Sequence, residues 1–194
     1  MFILVLRKLF KHKEGDLTMS IFSFRKKEKT QPEFVKDPEA FIQFLRKDDE
    51  ELIKFGQTAL IAAGEEVIHP LINLLTNEQE DKKVRRRIGT VLSRIQKPAI
   101  TPLLEVLKEQ GLKSKSSSET IGIIAAALGG IGKQAVEPLI RALDSKLRHV
   151  RFGAAIALVQ TGEVEAIEAV RKAAVHGDTG DREMFKMVLE KENL

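Results

Sequence analysis

The apolar residues of this chain fall into a pattern that recurs. Between Val84 and Ile95 they stand at Val84, Ile88, Val91 and Ile95, which is the i, i+4, i+7, i+11 spacing of one helix face. A second apolar run follows a short turn, at Leu103, Leu104, Val106 and Leu107. The same two-part pattern occurs elsewhere, and three segments align without gaps around a proline: LIAAGEEVIHPLINLL (60–75), LSRIQKPAITPLLEVL (92–107) and LGGIGKQAVEPLIRAL (128–143). A fourth, LVQTGEVEAIEAVRKAA (158–174), carries one inserted residue and Ala169 in place of proline. Pro70, Pro102 and Pro138 are 32 and 36 residues apart, and Ala169 follows after 31. This period is that of a helix pair, and it identifies a repeat architecture before any single motif is considered.

Each unit therefore predicts helix A, a tight turn and helix B. Helix A begins about eight residues before the anchoring leucine (Leu60, Leu92, Leu128, Leu158), at Leu52-Ile53, Val84-Arg85, Thr120-Ile121 and Val150-Arg151. Gly64, Gly132 and Gly162 suit a left-handed end to helix A, and proline near the start of helix B removes an amide that would otherwise lack a partner. Residues 37–45 (Asp37 to Leu45) read as a lone helix B. Residues 181–194 read as a last helix A, with Asp181 as its N-cap and Phe185, Met187 and Leu189 as packing residues. Half units at both ends are what an open stack needs to cover its core.

The pattern L-x3-G-x2-A-V-x-P-L-I-x2-L, preceded by Asp81-x-x-Val84-Arg85 or by its looser version over 144–151, resembles HEAT repeats. It is most similar to the short variety known as phycobilisome-lyase HEAT-like repeats, over roughly residues 38–175 and on toward 192. The resemblance implies an all-α α-solenoid, a right-handed superhelix of about four helix pairs plus terminal half units, with B helices on the concave side. It also implies that Arg85 pairs with an acid of the next repeat. For function it is unspecific, because such repeats serve in chromophore lyases, in deoxyhypusine hydroxylase and in many scaffolds.

Counted from the proline, places +1, +2, +4 and +5 of helix B are mostly apolar and form the expected core, as in Leu71, Ile72, Leu74 and Leu75, or Leu103, Leu104, Val106 and Leu107, or Leu139, Ile140, Ala142 and Leu143. Places −1 and +3 are four apart and share a face, and each occupant is polar: His69 with Asn73, Thr101 with Glu105, Glu137 with Arg141, Glu168 with Lys172. Stacking lines these pairs into a ladder. It is either the solvated face of amphipathic helices or a partner-binding groove. Its mixed charge is unsuited to a phosphate backbone. A second cluster, Lys82, Lys83, Arg86, Arg87 and Arg94, lies along helix A of the second unit and is a candidate contact for an anionic partner, with Glu78, Glu80 and Asp81 at the helix start as partial neutralisers.

Composition narrows the classes. A chain of 194 residues, 43% hydrophobic and 31% charged, can bury one core or a short array but not two large domains. The longest uninterrupted apolar runs, 1–6 and 121–132, are shorter than the roughly 18 to 20 residues of a membrane-spanning helix, and none is expected. Zero cysteines exclude disulfides, thiolate nucleophiles and Cys-based metal sites, and fit a cytoplasmic location. The net charge of +4 is uneven: residues 1–36 carry nine basic and four acidic side chains, whereas the remaining 23 basic and 24 acidic groups nearly cancel. This basic, apolar N-terminal arm, 1–36, is expected to be either a disordered tail, in part an upstream extension before Met19, or a docking or membrane-contacting segment; the repeat domain is 37–194.

Sites of chemistry are sparse. Gly130-Ile131-Gly132-Lys133-Gln134-Ala135 matches the dinucleotide fingerprint, but the repeat register makes the preceding segment a helix, and no acidic residue closes a second strand about 20 residues on. His12, His69, His149 and His176 have no metal-ligand spacing. No His is followed by Glu, so the di-iron chemistry of deoxyhypusine hydroxylase does not carry over. No catalytic residue, cofactor, metal or small-molecule substrate is assigned. The serine-rich stretch Gly111 to Glu119 accounts for the 36-residue spacing and reads as an enlarged loop, with Ser116 and Glu119 at capping-box separation, or as a phosphorylatable recognition loop. The favoured expectation is a non-catalytic scaffold that binds another protein through the B-helix face. The rivals are an accessory subunit of a lyase-type enzyme, and a binder of anionic surfaces, membrane or nucleic acid, through the arm and the basic helix A.

Overall fold

A computed structural model describes residues 38–110 and 118–191, which belong to one compact unit. The N-terminal arm and the serine-rich loop up to Ser117 lie outside the described residues, as does the supposed capping residue Ser116.

The described residues are helical throughout, with no strand among them. In chain order the helices are α1 (Pro38–Leu45), α2 (Glu50–Ala63), α3 (Ile68–Leu75), α4 (Lys82–Ile95), α5 (Ile100–Gln110), α6 (Ser118–Ile131), α7 (Lys133–Leu143), α8 (Arg148–Thr161), α9 (Val164–His176) and α10 (Thr179–Lys191). Even-numbered helices are the A helices and odd-numbered ones the B helices of the repeat. Each helix B packs on the following helix A, α1 on α2 through to α9 on α10, while the A helices stack in sequence. This is an α-solenoid of stacked helix pairs.

The register read from the sequence is the register of the core. Leu60, Leu92, Leu128 and Leu158 each end a helix A and each has 0% exposure. Leu71, Leu103 and Leu139, one residue beyond the repeat prolines, are also completely buried. Leu74, Leu104, Ile140 and Ala142, expected in the same core, are only half-buried at its edge. The lone first helix is present, and its Phe44 meets Phe55 of α2 edge-to-face at 5.5 Å between ring centroids.

The turn between A and B uses one backbone device. Gly64, Gln96 and Gly132, each six residues before a repeat proline, have φ of 65°, 71° and 73°. Their ψ values of −130°, −140° and −141° lie in a region that only glycine enters without strain. Gly162 takes the simpler αL form, with φ 70° and ψ 2°. The glycine signal predicted three of these positions; Gln96 was hidden because its side chain gives no hint of positive φ. Its amide is held by donating to the Ser93 carbonyl at 2.9 Å and accepting from Gln134 at 3.2 Å.

The run Glu50–Thr76, 27 residues long, holds an 18-residue window of mean hydropathy 1.2 and so is long and apolar enough to cross a membrane by length and hydropathy alone, a property that uninterrupted apolar runs do not reveal. In the fold it is α2, a 3-10 turn and α3, broken at Gly64, with its buried leucines in the repeat core.

The last helix corrects two expectations. It starts at Thr179, and the residue that caps its first turn is Asp178, whose carboxylate accepts from the Asp181 amide at 3.0 Å. Asp181 is instead buried inside the first turn. Met187 is 53% exposed, and the packing face is Met184, Phe185, Val188 and Leu189, because Met187, two residues from both Phe185 and Leu189, stands on the opposite side of a helix.

Candidate functional site

The B-helix ladder forms on the surface as a set. His69, Asn73, Thr101, Glu105, Glu137, Arg141, Glu168 and Lys172 are all exposed, two from each of α3, α5, α7 and α9. Their exposure follows from the burial of the apolar places on either side, which fixes the rotation of each helix. Within the ladder, Arg141 hydrogen-bonds Glu137 one turn away, and Glu168 accepts from Arg171 at 2.7 Å and not from Lys172. Beside its C-terminal half, an open cleft of about 470 Å³ lies between α7 and α9. Ile140, Ala169 and the exposed Val175 line it, together with Glu168, Lys172 and His176.

The cluster on α4 is split by the fold. Asp81 is the N-cap of this helix and accepts from the amides of Lys83 at 2.7 Å and Val84 at 3.3 Å. Arg87 turns to the first half unit and donates to the carbonyls of Leu45 at 2.6 Å and Lys47 at 2.9 Å, so it satisfies the C-terminal end of α1. Lys82 contacts Glu119 at 2.5 Å. Lys83, Arg86 and Arg94 stay exposed without an ion pair among the described residues. Glu80 does not neutralise this cluster: it is held by Arg46, with contacts of 2.5 to 3.3 Å, and this guanidinium draws the Glu80 carboxyl below the usual carboxylate range.

Arg85 is structural, as its place in the repeat implied. Nearly buried, it donates to Thr120 Oγ1 at 3.0 Å and to Glu119 at 3.3 Å on the next helix A. Hydrogen bonding from Lys82 is the leading cause that lowers the Glu119 carboxyl, with Arg85 and Arg86 adding to it. Arg151, the equivalent residue of the fourth unit, reaches Asp181 on α10 in the same way.

A further groove lies where the residue pattern gave no signal, on the A-helix side. It has a volume of about 580 Å³ and runs across α4, α6 and α8 to the end of α10. Its floor is bare because α6 places Gly122 and Ala126 one turn apart on its outer side, next to Ile123 and Ile156. Gly122 and Ala126 carry no polar or periodic signal in the sequence, and their exposure follows only from the packing.

Gly130 and Gly132, the glycines of the dinucleotide-like motif, lie at the end of α6 and at the turn into α7, not on a strand-to-helix phosphate turn. His69 and His176 are exposed on separate helices, and His149 Nε2 lies 3.3 Å from the Lys108 carbonyl. Among the described residues no three metal-ligating side chains converge. His12 and the serine-rich loop to Ser117 lie outside the described residues.

No curated protein matches the sequence significantly. Residues 109–190, which contain the helix pairs α6–α7 and α8–α9, match the family model for HEAT repeats, and in this stretch the chain is similar to a HEAT-repeat protein.

Proposed function

We propose that this chain is a non-catalytic scaffold whose polar B-helix face binds another protein. The observation that carries the reading is the ladder: two exposed polar residues at the same register place on each of four successive B helices, flanked by buried apolar ones. A regular row of mixed acids, bases and amides offers hydrogen-bond and charge complementarity to a folded protein or peptide, where selectivity comes from matched pairs and not from one sign of charge. HEAT repeats generally serve as protein-interaction scaffolds. The apolar cleft beside Glu168 and Lys172 would supply the buried anchor that a polar row lacks. The finer assignment to the phycobilisome-lyase type, and with it the accessory-subunit reading, rests on the sequence resemblance alone. Lack of cysteine suits a reducing compartment, and we place the protein in the cytoplasm.

The test is affinity capture from the native cell with wild-type chain and with a variant carrying Glu137→Arg, Arg141→Glu, Glu168→Arg and Lys172→Glu. The reading predicts that the variant folds normally and loses a partner that the wild type retains. An unchanged set of captured proteins contradicts it.

A further inference from the structure

The A-helix groove is independent of the ladder, since it is built from A helices alone, α4, α6, α8 and the end of α10. We infer that this groove docks an acidic amphipathic helix of a partner protein, apolar side toward α6 and carboxylates toward α4.

Three features define this occupant. The floor on α6 is apolar and low at its centre: a Cβ placed on Gly122 meets no atom within 4 Å, and Ala126 one turn on is exposed, with Ile123 and Ile156 beside them. Helices approach as closely as their contacting side chains permit, so a glycine and an alanine one turn apart make room for a helix with larger apolar residues. The α4 wall is cationic: Lys82 and Arg86 line it, Arg94 continues the row two turns beyond Arg86, and Lys191 closes the far end. Its one lining carboxylate, Glu119, is already held by Lys82 and Arg85, so an incoming ligand meets net positive charge.

The arrangement argues against other anions. The free cations are spread along one wall at helical spacing and do not converge, which is poor for a single phosphate. A nucleic-acid backbone would meet positive charge on one side and leave the apolar floor uncovered. A helix with carboxylates along one flank of a leucine stripe satisfies both.

The experiment measures fluorescence anisotropy of labelled synthetic peptides of roughly 18 residues, long enough to be helical alone, against the full chain. One peptide has a leucine face flanked by glutamates, a second replaces the glutamates with lysines, a third replaces the leucines with serines, and a short single-stranded DNA is the fourth ligand. The acidic leucine peptide should bind in preference to the other three. Arg86→Glu with Arg94→Glu should weaken it by about tenfold or more, as should Gly122→Leu, which fills the floor where there is open space and does not lower the melting temperature. The ladder variant should bind it unchanged, so failure here and failure of the B-face reading are separate results. Equal binding of the lysine or serine peptide, preferential binding of the DNA, or full affinity in a folded Gly122→Leu variant would overturn the inference.

Discussion

Arg151 and Asp181, thirty residues apart, form a two-pronged ion pair: Arg151 Nε lies 2.7 Å from one carboxylate oxygen of Asp181 and a terminal nitrogen donates to the other at 2.9 Å. Asp181 is about nine-tenths buried, and Arg151 also donates to the Ser145 carbonyl at 2.7 Å. The pair fastens the last half unit to the fourth repeat, as Arg85 fastens the second repeat to the third through Glu119 and Thr120. In both cases an arginine one residue past the first buried valine of helix A reaches the first turn of the next helix A.

Replacing Arg151 with alanine leaves the buried Asp181 carboxylate with only a long contact, 3.8 Å, to the exposed Arg148. We expect a loss of about 3 kcal/mol in urea unfolding, and hydrogen exchange should accelerate first in α10. Asp181→Asn, which keeps the shape, should cost less than Arg151→Ala.

Gln96 occupies a conformation its equivalents reach with glycine. Gln96→Gly should raise stability by about 1 kcal/mol, because relief of backbone strain exceeds the loss of two partly exposed side-chain hydrogen bonds. Gln96→Ala keeps the strain and loses the bonds, so it should be destabilising. Thermal melts of the two variants should move in opposite directions.

Gly122 and Gly129 share a helix and should respond oppositely to alanine. At Gly122 the new methyl enters open space, so helix propensity alone acts and stability rises by up to about 1 kcal/mol. At Gly129 a Cβ would stand 2.8 Å from Gln160 Cβ and 3.0 Å from the Ala157 carbonyl oxygen, which forces α6 and α8 apart. That substitution should destabilise despite the better propensity, as paired denaturation curves would show.

The Arg46–Glu80 pair gives stability a pH dependence. The Glu80 carboxyl is lowered from 4.5, chiefly by the Arg46 hydrogen bond, so its contribution is complete above the ordinary carboxylate value and fades as pH falls through the lower, folded-state value. Glu80→Gln should cost about 1 kcal/mol at pH 7, and the gap between variant and wild type should close at pH below about 4.5 in urea titrations.

What the sequence made legible was what recurs. Leu60, Leu92, Leu128 and Leu158, the prolines after them and the polar places at −1 and +3 appear several times in register, so each copy supports the others. Residues with a role in one unit only were not legible. Arg87 looked like one more surface cation, yet its reach to the Leu45 and Lys47 carbonyls depends on where the first half unit ends. Asp181 looked like a cap because aspartate near a helix start usually is one; burial against Arg151 moved that task to Asp178. The A-side groove was illegible for another reason: a groove is defined by side chains that are missing, and Gly122 and Ala126 carry no periodic signal of their own.

The central claim is that four leucines occupy equivalent buried corners of stacked helix pairs. Alanine substitution at Leu60, Leu92, Leu128 and Leu158, one at a time and measured by equilibrium urea unfolding, tests it most directly. The account predicts that each costs about 2 to 5 kcal/mol. A value within about 0.5 kcal/mol of wild type at any one of them, the response of a surface position, would contradict it.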